Sequence, residues 1–172
     1  IGCNGDFYLN RFKGSLLRAL SNAGHNVYAI APAGKSVAAI EREGATFVDW
    51  PLARQRASPW SEVQSVLALK RIYREIKPDL AHHLYAKPNI YGAIAARLAG
   101  VPVAVASVNG LGYVFVGRDL KSTIIRPVVS LLYRLALGIS EAVLFQNHDD
   151  RRFFEETGMV SREKTRHIPG GS

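Results

Sequence analysis

The chain has 172 residues, 48% of them hydrophobic and 21% charged, with a net charge of +8 and a mean hydropathy close to zero. This composition excludes a disordered, collagen-like or coiled-coil chain and predicts one globular domain over residues 1–172. Each half of the chain holds 11 basic and 7 acidic residues, so there is no basic tail. An even excess of this kind is compatible with an anionic membrane surface, with phosphorylated substrates or with solubility alone.

Helices and short apolar strands alternate along the chain, a pattern that is typical of a parallel sheet wrapped by helices. The first predicted strand ends at residues 1–3, and six more are predicted at 27–31, 46–48, 80–84, 101–108, 142–145 and 165–168. The predicted helices are 9–23, 36–43, from 58 or 61 to 76, 88–99, 122–137 and 149–157. We therefore expect a Rossmann-like, three-layer αβα domain with a mostly parallel, doubly wound sheet of about seven strands.

Ligands of such sheets bind outside the carboxyl ends of the strands, near the point where the strand order reverses. The first loop of this kind contains Gly5 and Asp6. The backbone of Gly5 could meet a phosphate at the start of the next helix, but plain turn geometry is the favoured explanation of the glycine. Asp6 is expected to cap that helix. Neither the dinucleotide fingerprint nor a Walker motif is present.

His82 and His83 are neighbours on a predicted strand, so their side chains point to opposite faces and cannot hold one metal ion together. His83 is either a core residue or a group that reaches the cleft. Lys87 and Asn89 stand at the mouth of the following helix, where a cation can meet a phosphate. A solvated loop charge is the alternative for Lys87.

The loop 109–117 follows the most strand-like segment of the chain. Asn109, Gly110 and Gly112 directly follow the buried strand, and the glycines allow the backbone to approach a ligand. The apolar run 113–116 predicts either a lid or contact with an apolar partner, and a tight turn with inward aromatic rings is the alternative.

The helix over 122–137 is expected to lie in the core, with Arg126 and Arg134 placed to face lipid phosphates. The chain contains no uninterrupted stretch of ~18 apolar residues, so no segment is expected to span a bilayer. Its single cysteine, Cys3, has no partner for an internal disulfide or a zinc site. This usage indicates a reducing compartment, and we expect the cytoplasm.

Several motifs, in their order along the chain, resemble the family-four retaining glycosyltransferases of GT-B fold. They are FKGSLLRAL at 12–20, AGHNV at 23–27, AP at 31–32, KPD at 77–79, HH at 82–83, KPNIYG at 87–92 and NGLGYVF at 109–115. The last two, with FQN at 145–147, are similar to bacterial enzymes that build capsule, exopolysaccharide or lipid-linked oligosaccharides.

In that family two Rossmann-like domains face each other across a cleft, and the N-terminal domain mainly receives the acceptor. The resemblance implies that this chain is the N-terminal domain and that Gly170 and Gly171 stand at the junction with an absent nucleotide-sugar-binding domain. The diphosphate-binding basic residues and the Glu-x7-Glu motif belong to that second domain, so no catalytic residue is assigned and the chain alone is expected to be inactive.

The resemblance also implies the substrates. A sugar would pass from a nucleotide-sugar donor to a saccharide acceptor that is membrane- or polyprenyl-linked, without a metal or another cofactor and without a nucleic-acid partner. The expected location is the cytoplasm, and peripheral contact with the inner face of the cell membrane is compatible with the resemblance.

The resemblance implies acceptor binding by His83, Lys87, Asn89, Asn109, Gly110 and Gly112, and a donor-phosphate contact at Gly5. Many relatives have a histidine where this chain has Asn109, so no catalytic histidine is assigned. The first loop also lacks the usual pair of glycines.

Three other functions are considered. A sugar epimerase can share the GT-B architecture, and a non-catalytic flavodoxin-like module is compatible with the alternating pattern. A receiver domain would need an acidic pair after its first strand, whereas this chain has only Asp6 there. A nucleic-acid binder is disfavoured because the basic residues are dispersed.

Overall fold

The computed structural model describes residues 1–52, 58–117 and 119–169, with the backbone alone at Tyr113 and Lys121. The predicted junction at Gly170 and Gly171 lies outside the described residues. The strands are β1 (Tyr28–Ala31), β2 (Thr46–Asp49), β3 (Leu80–Leu84), β4 (Val103–Val108), β5 (Ala142–Phe145) and β6 (Thr165–His167). The helices are α1 (Asp6–Asn22), α2 (Val37–Arg42), α3 (Pro59–Ile76), α4 (Ala86–Ala99), α5 (Gly112–Val116), α6 (Leu120–Ile139) and α7 (His148–Glu156).

Gly2 joins two groups of parallel strands into one sheet. It forms parallel bridges to Ile30 of β1 and to His83 of β3, and its N–H donates to the carbonyl of His82 at 2.7 Å. Strands β1 and β2 pair on one side of it, and β3, β4, β5 and β6 pair in that order on the other. The spatial order is therefore β2-β1-Gly2-β3-β4-β5-β6, with every pairing parallel.

The parallel, doubly wound α/β architecture is confirmed, but the strand count is lower than seven. Six strands are formed by the described residues, and the place of the predicted first strand is held by the bridged residue Gly2. The strand order reverses between Gly2 and β3, so the loops that leave these two positions flank the switch point at which ligands of such sheets bind.

Helices cover the sheet on both faces. Successive residues of β1 divide between the two faces, because Ala29 and Ala31 pack with α1 and α2 while Ile30 packs with α3 and α4. Helices α4 and α6 continue the second layer over β4 and β5. This arrangement confirms the predicted three-layer αβα domain.

Local signals explain where the helices begin and end. The Ser58 hydroxyl caps α3 by accepting from the Ser61 N–H at 3.2 Å, which selects the first of the two predicted starts. The Asn147 side chain caps α7 by accepting from the Asp150 N–H at 2.8 Å. Gly100 ends α4 with a positive φ of 78° that favours glycine.

The predicted loop 109–117 contains the short helix α5. Phe115 of α5 packs its ring 6.0 Å from the ring of Tyr133 and 5.9 Å from that of Phe154, measured between centroids. The described part of this run therefore fits the inward-packed alternative, except that the side chain of Val116 is exposed.

Helix α6 differs from the expected core helix, because one side of it is buried and the other carries apolar residues to the surface. Tyr133, Ala136 and Leu137 lie in the core. We define the α6 stripe as Leu120, Ile124, Val128, Leu131 and Leu135, whose exposed fractions run from 55% to 77%. Their spacing of three and four residues places them on one side of the helix.

The two arginines of α6 were expected to face lipid phosphates. In the structure both donate hydrogen bonds to backbone carbonyls of the protein instead. Arg126 donates to the carbonyls of Val114 at 3.1 Å and Gly117 at 2.9 Å. Arg134 donates to the carbonyls of Gly158 and Thr157 at 3.0 and 3.2 Å. Both guanidinium groups therefore fasten loops to α6.

Candidate functional site

The loop after β4 has an exposed backbone at two of the predicted site residues. Gly110 and Gly112 have φ values of 131° and 71°, in the region that favours glycine, and both residues are exposed. A Cβ atom added at either position would meet nothing within 4 Å. The backbone of this loop is therefore open to a ligand at the carboxyl edge of the sheet.

Asn109 begins this loop, and its side-chain oxygen is unsatisfied. The Oδ1 atom is buried and accepts no hydrogen bond from the described residues. A buried carbonyl without a donor costs about 1–3 kcal/mol, so such an atom is rarely left unpaired without a reason. A hydroxyl or N–H of a ligand bound over the loop would satisfy it.

His83 is placed in the core and does not reach the carboxyl edge as a ligand contact. Its side chain has no exposed surface, and its Nε2 lies 2.8 Å from the hydroxyl of Tyr73. Burial lowers the pKa of His83 to about 3, so the imidazole is neutral. Of the two predicted placements of His83, in the core or in the cleft, the structure supports the core.

Asn89 is also fully buried. Its amide Nδ2 donates to the carbonyl of Ser107 at 2.8 Å, which ties the first turn of α4 to the end of β4. The Asn89 Oδ1, like that of Asn109, has no partner among the described residues, but Asn89 has no exposed surface from which to contact an acceptor directly. Asn89 holds in place the strand end from which the Asn109 loop departs.

Lys87 stands at the start of α4, as predicted, and is paired with an acidic residue. Its Nζ lies 2.7 Å from Oε1 of Glu62, whose Oε2 accepts from the hydroxyl of Tyr91 at 2.7 Å. The ammonium group also lies 5.9 Å from the centroid of the Tyr91 ring. The side chain is partly exposed, so Lys87 remains accessible while its charge is compensated.

Beside Gly5, where a phosphate was predicted to bind, the structure has the carboxylate of Asp6. Gly5 is the buried N-cap residue of α1, in extended conformation. The carboxylate of Asp6 accepts from the N–H groups of Phe7 at 2.8 Å and Ser36 at 2.7 Å. It thus supplies the negative charge that the N-terminus of a helix attracts, and a phosphate near Gly5 would compete with it.

His82 pairs with Ser107 on the face of the sheet opposite His83, and the sequence analysis did not predict this pair. Nε2 of His82 and Oγ of Ser107 are 2.7 Å apart, and burial lowers the pKa of His82 to about 4. The pair lines a groove of about 540 Å³ between α1 and the sheet, together with Phe12, Leu16 and Leu144. Alternation along β3 predicted the opposite faces, but not which neighbour each histidine meets.

Sequence reasoning also missed a group of aromatic side chains beside the switch point. Tyr8 and Phe12 are exposed on α1, and Tyr8 lies 5.4 Å from Tyr85 between ring centroids. Tyr85 directly follows β3 and has a φ of 75°, which residues other than glycine rarely adopt. Nothing in the local sequence signals this conformation. Among the described residues, no three His, Cys, Asp or Glu side chains come together as a metal site.

Solved structures superpose on nearly the whole of this chain. MurG of Acinetobacter baumannii superposes with a TM-score of 0.63 at 14% identity, over 98% of this chain and 43% of that protein. Anabaena HepE, solved with UDP and glucose, superposes with a TM-score of 0.63 at 14% identity, over 97% of this chain and 42% of that protein. The fold is therefore that of one half of a GT-B glycosyltransferase.

The family follows from the sequence match. Residues 3–147 match the family described as Glycosyl transferase 4-like, and the chain belongs to that family. This match agrees with the resemblance seen in the motifs at 12–20, 87–92 and 109–115.

Two curated relatives have defined activities. One, from Campylobacter jejuni, is the N,N'-diacetylbacillosaminyl-diphospho-undecaprenol alpha-1,3-N-acetylgalactosaminyltransferase, 22% identical over 86% of this chain and 39% of the relative. The other, from Escherichia coli, is the UDP-Gal:alpha-D-GlcNAc-diphosphoundecaprenol alpha-1,3-galactosyltransferase, 27% identical over 64% of this chain and 27% of the relative. The chain thus spans less than half the length of these relatives.

Proposed function

We propose that this chain is the acceptor-side domain of a retaining glycosyltransferase that transfers a sugar from a nucleotide-sugar donor to a polyprenyl-linked saccharide in surface polysaccharide synthesis. The observation that carries the proposal is the unsatisfied oxygen of Asn109 in an open loop at the carboxyl edge of a glycosyltransferase fold. The names of the two relatives, both of which act on undecaprenol-linked saccharides, support this acceptor class.

In this proposal the acceptor lies over the loop 109–112. Oδ1 of Asn109 accepts from an acceptor hydroxyl, and the open backbone at Gly110 and Gly112 lets the saccharide approach closely. Lys87 lies at the same carboxyl edge, where its partly exposed side chain can meet an acceptor phosphate. His83 and Asn89 support this surface from the core.

The leaving diphosphate must be stabilised electrostatically during transfer. The backbone of Gly5 remains a proposed contact for it, in competition with the Asp6 carboxylate. The other groups for this task are proposed to lie in a second domain, together with the catalytic residues. The present chain is then expected to bind an acceptor without transferring sugar.

Transfer by the full-length protein tests the proposal. Incubation with nucleotide sugars and a saccharide linked to undecaprenyl diphosphate should give an extended lipid-linked product, whereas the isolated chain should give none. Conversion of the donor to an epimer without extension of the acceptor would favour the epimerase alternative. Sugar transfer by the isolated chain would contradict the division of roles between the two domains.

A peripheral membrane position is part of the proposal, and the α6 stripe is the surface that we place against the bilayer. Helix α6 contains no Asp or Glu. By length and composition alone its segment Ser122–Ile139 is apolar enough to cross a membrane, which differs from the expectation that no segment spans a bilayer, and only 22% of that segment is buried in the domain. A helix with one apolar side exposed is suited to lie in the plane of the interface. An acceptor held by a polyprenyl anchor would be met at that interface.

Sedimentation with anionic vesicles tests the membrane surface. The double variant Ile124→Glu and Leu131→Glu places two charges in the stripe and should lose binding at both low and high salt. The control is Leu67→Glu with Leu98→Glu, two exposed leucines on α3 and α4, which should bind as the wild type does. Vesicle binding that survives in the stripe variant would contradict this surface.

A further inference from the structure

Three aromatic side chains form a continuous surface beside the switch point. Tyr8 and Phe12 lie one turn apart on α1, with 42% and 39% of each residue exposed. Their rings are within 15° of parallel at a centroid distance of 6.5 Å, and Tyr85 adjoins Tyr8 at 5.4 Å. We call Tyr8, Phe12 and Tyr85 the aromatic platform.

Tyr85 has a strained backbone conformation. Its φ of 75° and ψ of 167° lie in a region that is nearly restricted to glycine. The conformation is held on both sides, because the Tyr85 N–H donates to the carbonyl of Ser107 at 3.4 Å and the Asn89 N–H donates to the carbonyl of Tyr85 at 2.9 Å. A strained residue that directs its ring to a surface beside a ligand-binding edge points to a role in binding.

The platform and Asn109 are connected to the carboxyl ends of neighbouring strands, β3 and β4. The Tyr85 backbone is bonded to Ser107 of β4, and Asn109 follows Ser107 by two residues. Apolar ring faces and a hydrogen-bond acceptor therefore stand at the same edge of the sheet. A saccharide matches this combination, since one face of a pyranose ring presents C–H groups and its rim presents hydroxyls.

We propose that the aromatic platform binds a pyranose ring of the acceptor saccharide by stacking, while Oδ1 of Asn109 accepts from a hydroxyl at the rim of the acceptor. This inference rests on the proposed function, because it names the contact through which the acceptor is held. Aromatic rings offer a large, rigid contact area at low entropic cost, which suits a sugar whose face has few hydrogen-bonding groups. In this proposal the platform contributes to acceptor affinity, and donor binding is assigned to Gly5 and to the second domain.

The test uses the full-length protein with single platform variants. Tyr8→Ala and Phe12→Ala should each raise the KM for the acceptor by about tenfold and leave the KM for the donor unchanged. Tyr8→Phe and Phe12→Tyr keep the rings and should behave as the wild type does. The matched control is Trp60→Ala, which removes an aromatic side chain that is 66% exposed on α3. Thermal unfolding identifies any variant that is misfolded.

Two acceptors distinguish contact between the rings and the sugar from contact between the rings and the lipid. The same saccharide diphosphate is offered on a short alkyl chain and on an undecaprenyl chain, and the rise in KM should be equal for both. A rise that appears only with the undecaprenyl chain would show that the rings contact the isoprenoid and would overturn the inference.

Binding of the short-chain acceptor, measured by calorimetry without donor, keeps the two proposals apart. The proposed function alone is contradicted if the wild type binds the saccharide, Tyr8→Ala abolishes that binding, and the wild type nevertheless transfers no sugar. Alanine variants that bind and use the acceptor as the wild type does contradict the platform alone. Wild-type protein that does not bind the acceptor contradicts both proposals.

Discussion

The backbone of Gly92 lies against the imidazole of His83 so closely that a methyl group at position 92 would overlap the ring. Gly92→Ala should therefore destabilise the domain by about 1–3 kcal/mol, because the buried ring has no room to move away. Helix propensity alone predicts the opposite sign. Urea unfolding monitored by circular dichroism measures the change.

Gly14→Ala is the matched control for this substitution. Gly14 lies inside α1, and a Cβ atom there would come no closer than 3.8 Å to the side chain of Glu43. This variant should be stabilised by up to about 1 kcal/mol. Equal effects of the two substitutions would contradict the close contact with His83.

The two buried histidines predict a loss of stability in mild acid. Burial lowers the pKa of His83 to about 3 and that of His82 to about 4, below the value of ~6.5 for an unfolded histidine. The unfolded chain takes up protons first, so the stabilising effect is complete above pH ~6.5 and is lost as the pH falls toward the folded values. Each histidine contributes a slope of about 1.4 kcal/mol per pH unit within that window.

Urea unfolding of the wild type and of His83→Gln between pH 7.5 and pH 5 measures this dependence. The glutamine variant should be less stable at pH 7.5, and its stability should fall less steeply toward pH 5. His25→Gln, at an exposed position, should keep the wild-type slope. Parallel curves for the wild type and His83→Gln would rule out His83 as a source of the acid sensitivity.

The alternation of helix and strand was sufficient to predict the fold class, and the strand at residues 80–84 was predicted with the bounds that the structure shows. The buried apolar strands and the glycines that end helices are local signals, so they can be read from the sequence. The α6 stripe could not be assigned in this way. Apolar residues around a helix indicate burial, whereas the exposure of Ile124 and Leu131 depends on which elements pack beside α6.

The site was harder to predict than the fold, because tertiary contacts decide which polar residues are accessible. Two adjacent histidines must face opposite ways, but the sequence does not show that α4 closes over His83 where Gly92 lacks a side chain. It also gives no sign that Tyr85 adopts a positive φ. The glycines of the loop 109–112 were recognisable because their conformational freedom is a property of the residue type.

Asn109→Ala separates binding from stability. The Oδ1 atom is buried without a partner among the described residues, so its removal should leave the free energy of unfolding within about 1 kcal/mol of the wild type or raise it. Loss of a hydrogen bond to the acceptor should lower kcat/KM for the acceptor about tenfold in the full-length protein. Unfolding in urea and steady-state kinetics of the same variant give both quantities. Marked destabilisation would indicate that the side chain supports the loop.

Separate substitutions of Lys87 and Glu62 distinguish a role in acceptor binding from a role in stabilising the domain. Their ion pair is partly exposed, so Lys87→Ala and Glu62→Gln should each change the free energy of unfolding by no more than about 1 kcal/mol. Lys87→Ala should lower turnover because it removes a cation at the acceptor edge, whereas Glu62→Gln should preserve turnover. Equal losses of activity in both variants would show that the pair acts only by holding α3 and α4 together.

The bridges of Gly2 set the order in which the domain can assemble. Strands β1 and β2 pair locally, as do β3 with β4 and β4 with β5, but the bridge from Gly2 to His83 closes a loop of about 80 residues and carries the entropic cost of that closure. Pulsed hydrogen exchange during refolding should therefore protect the amides of β4 and β5 before those of Gly2 and Leu84. On this expectation the two groups of strands form first, and the domain becomes one cooperative unit when Gly2 pairs with His83 and joins them.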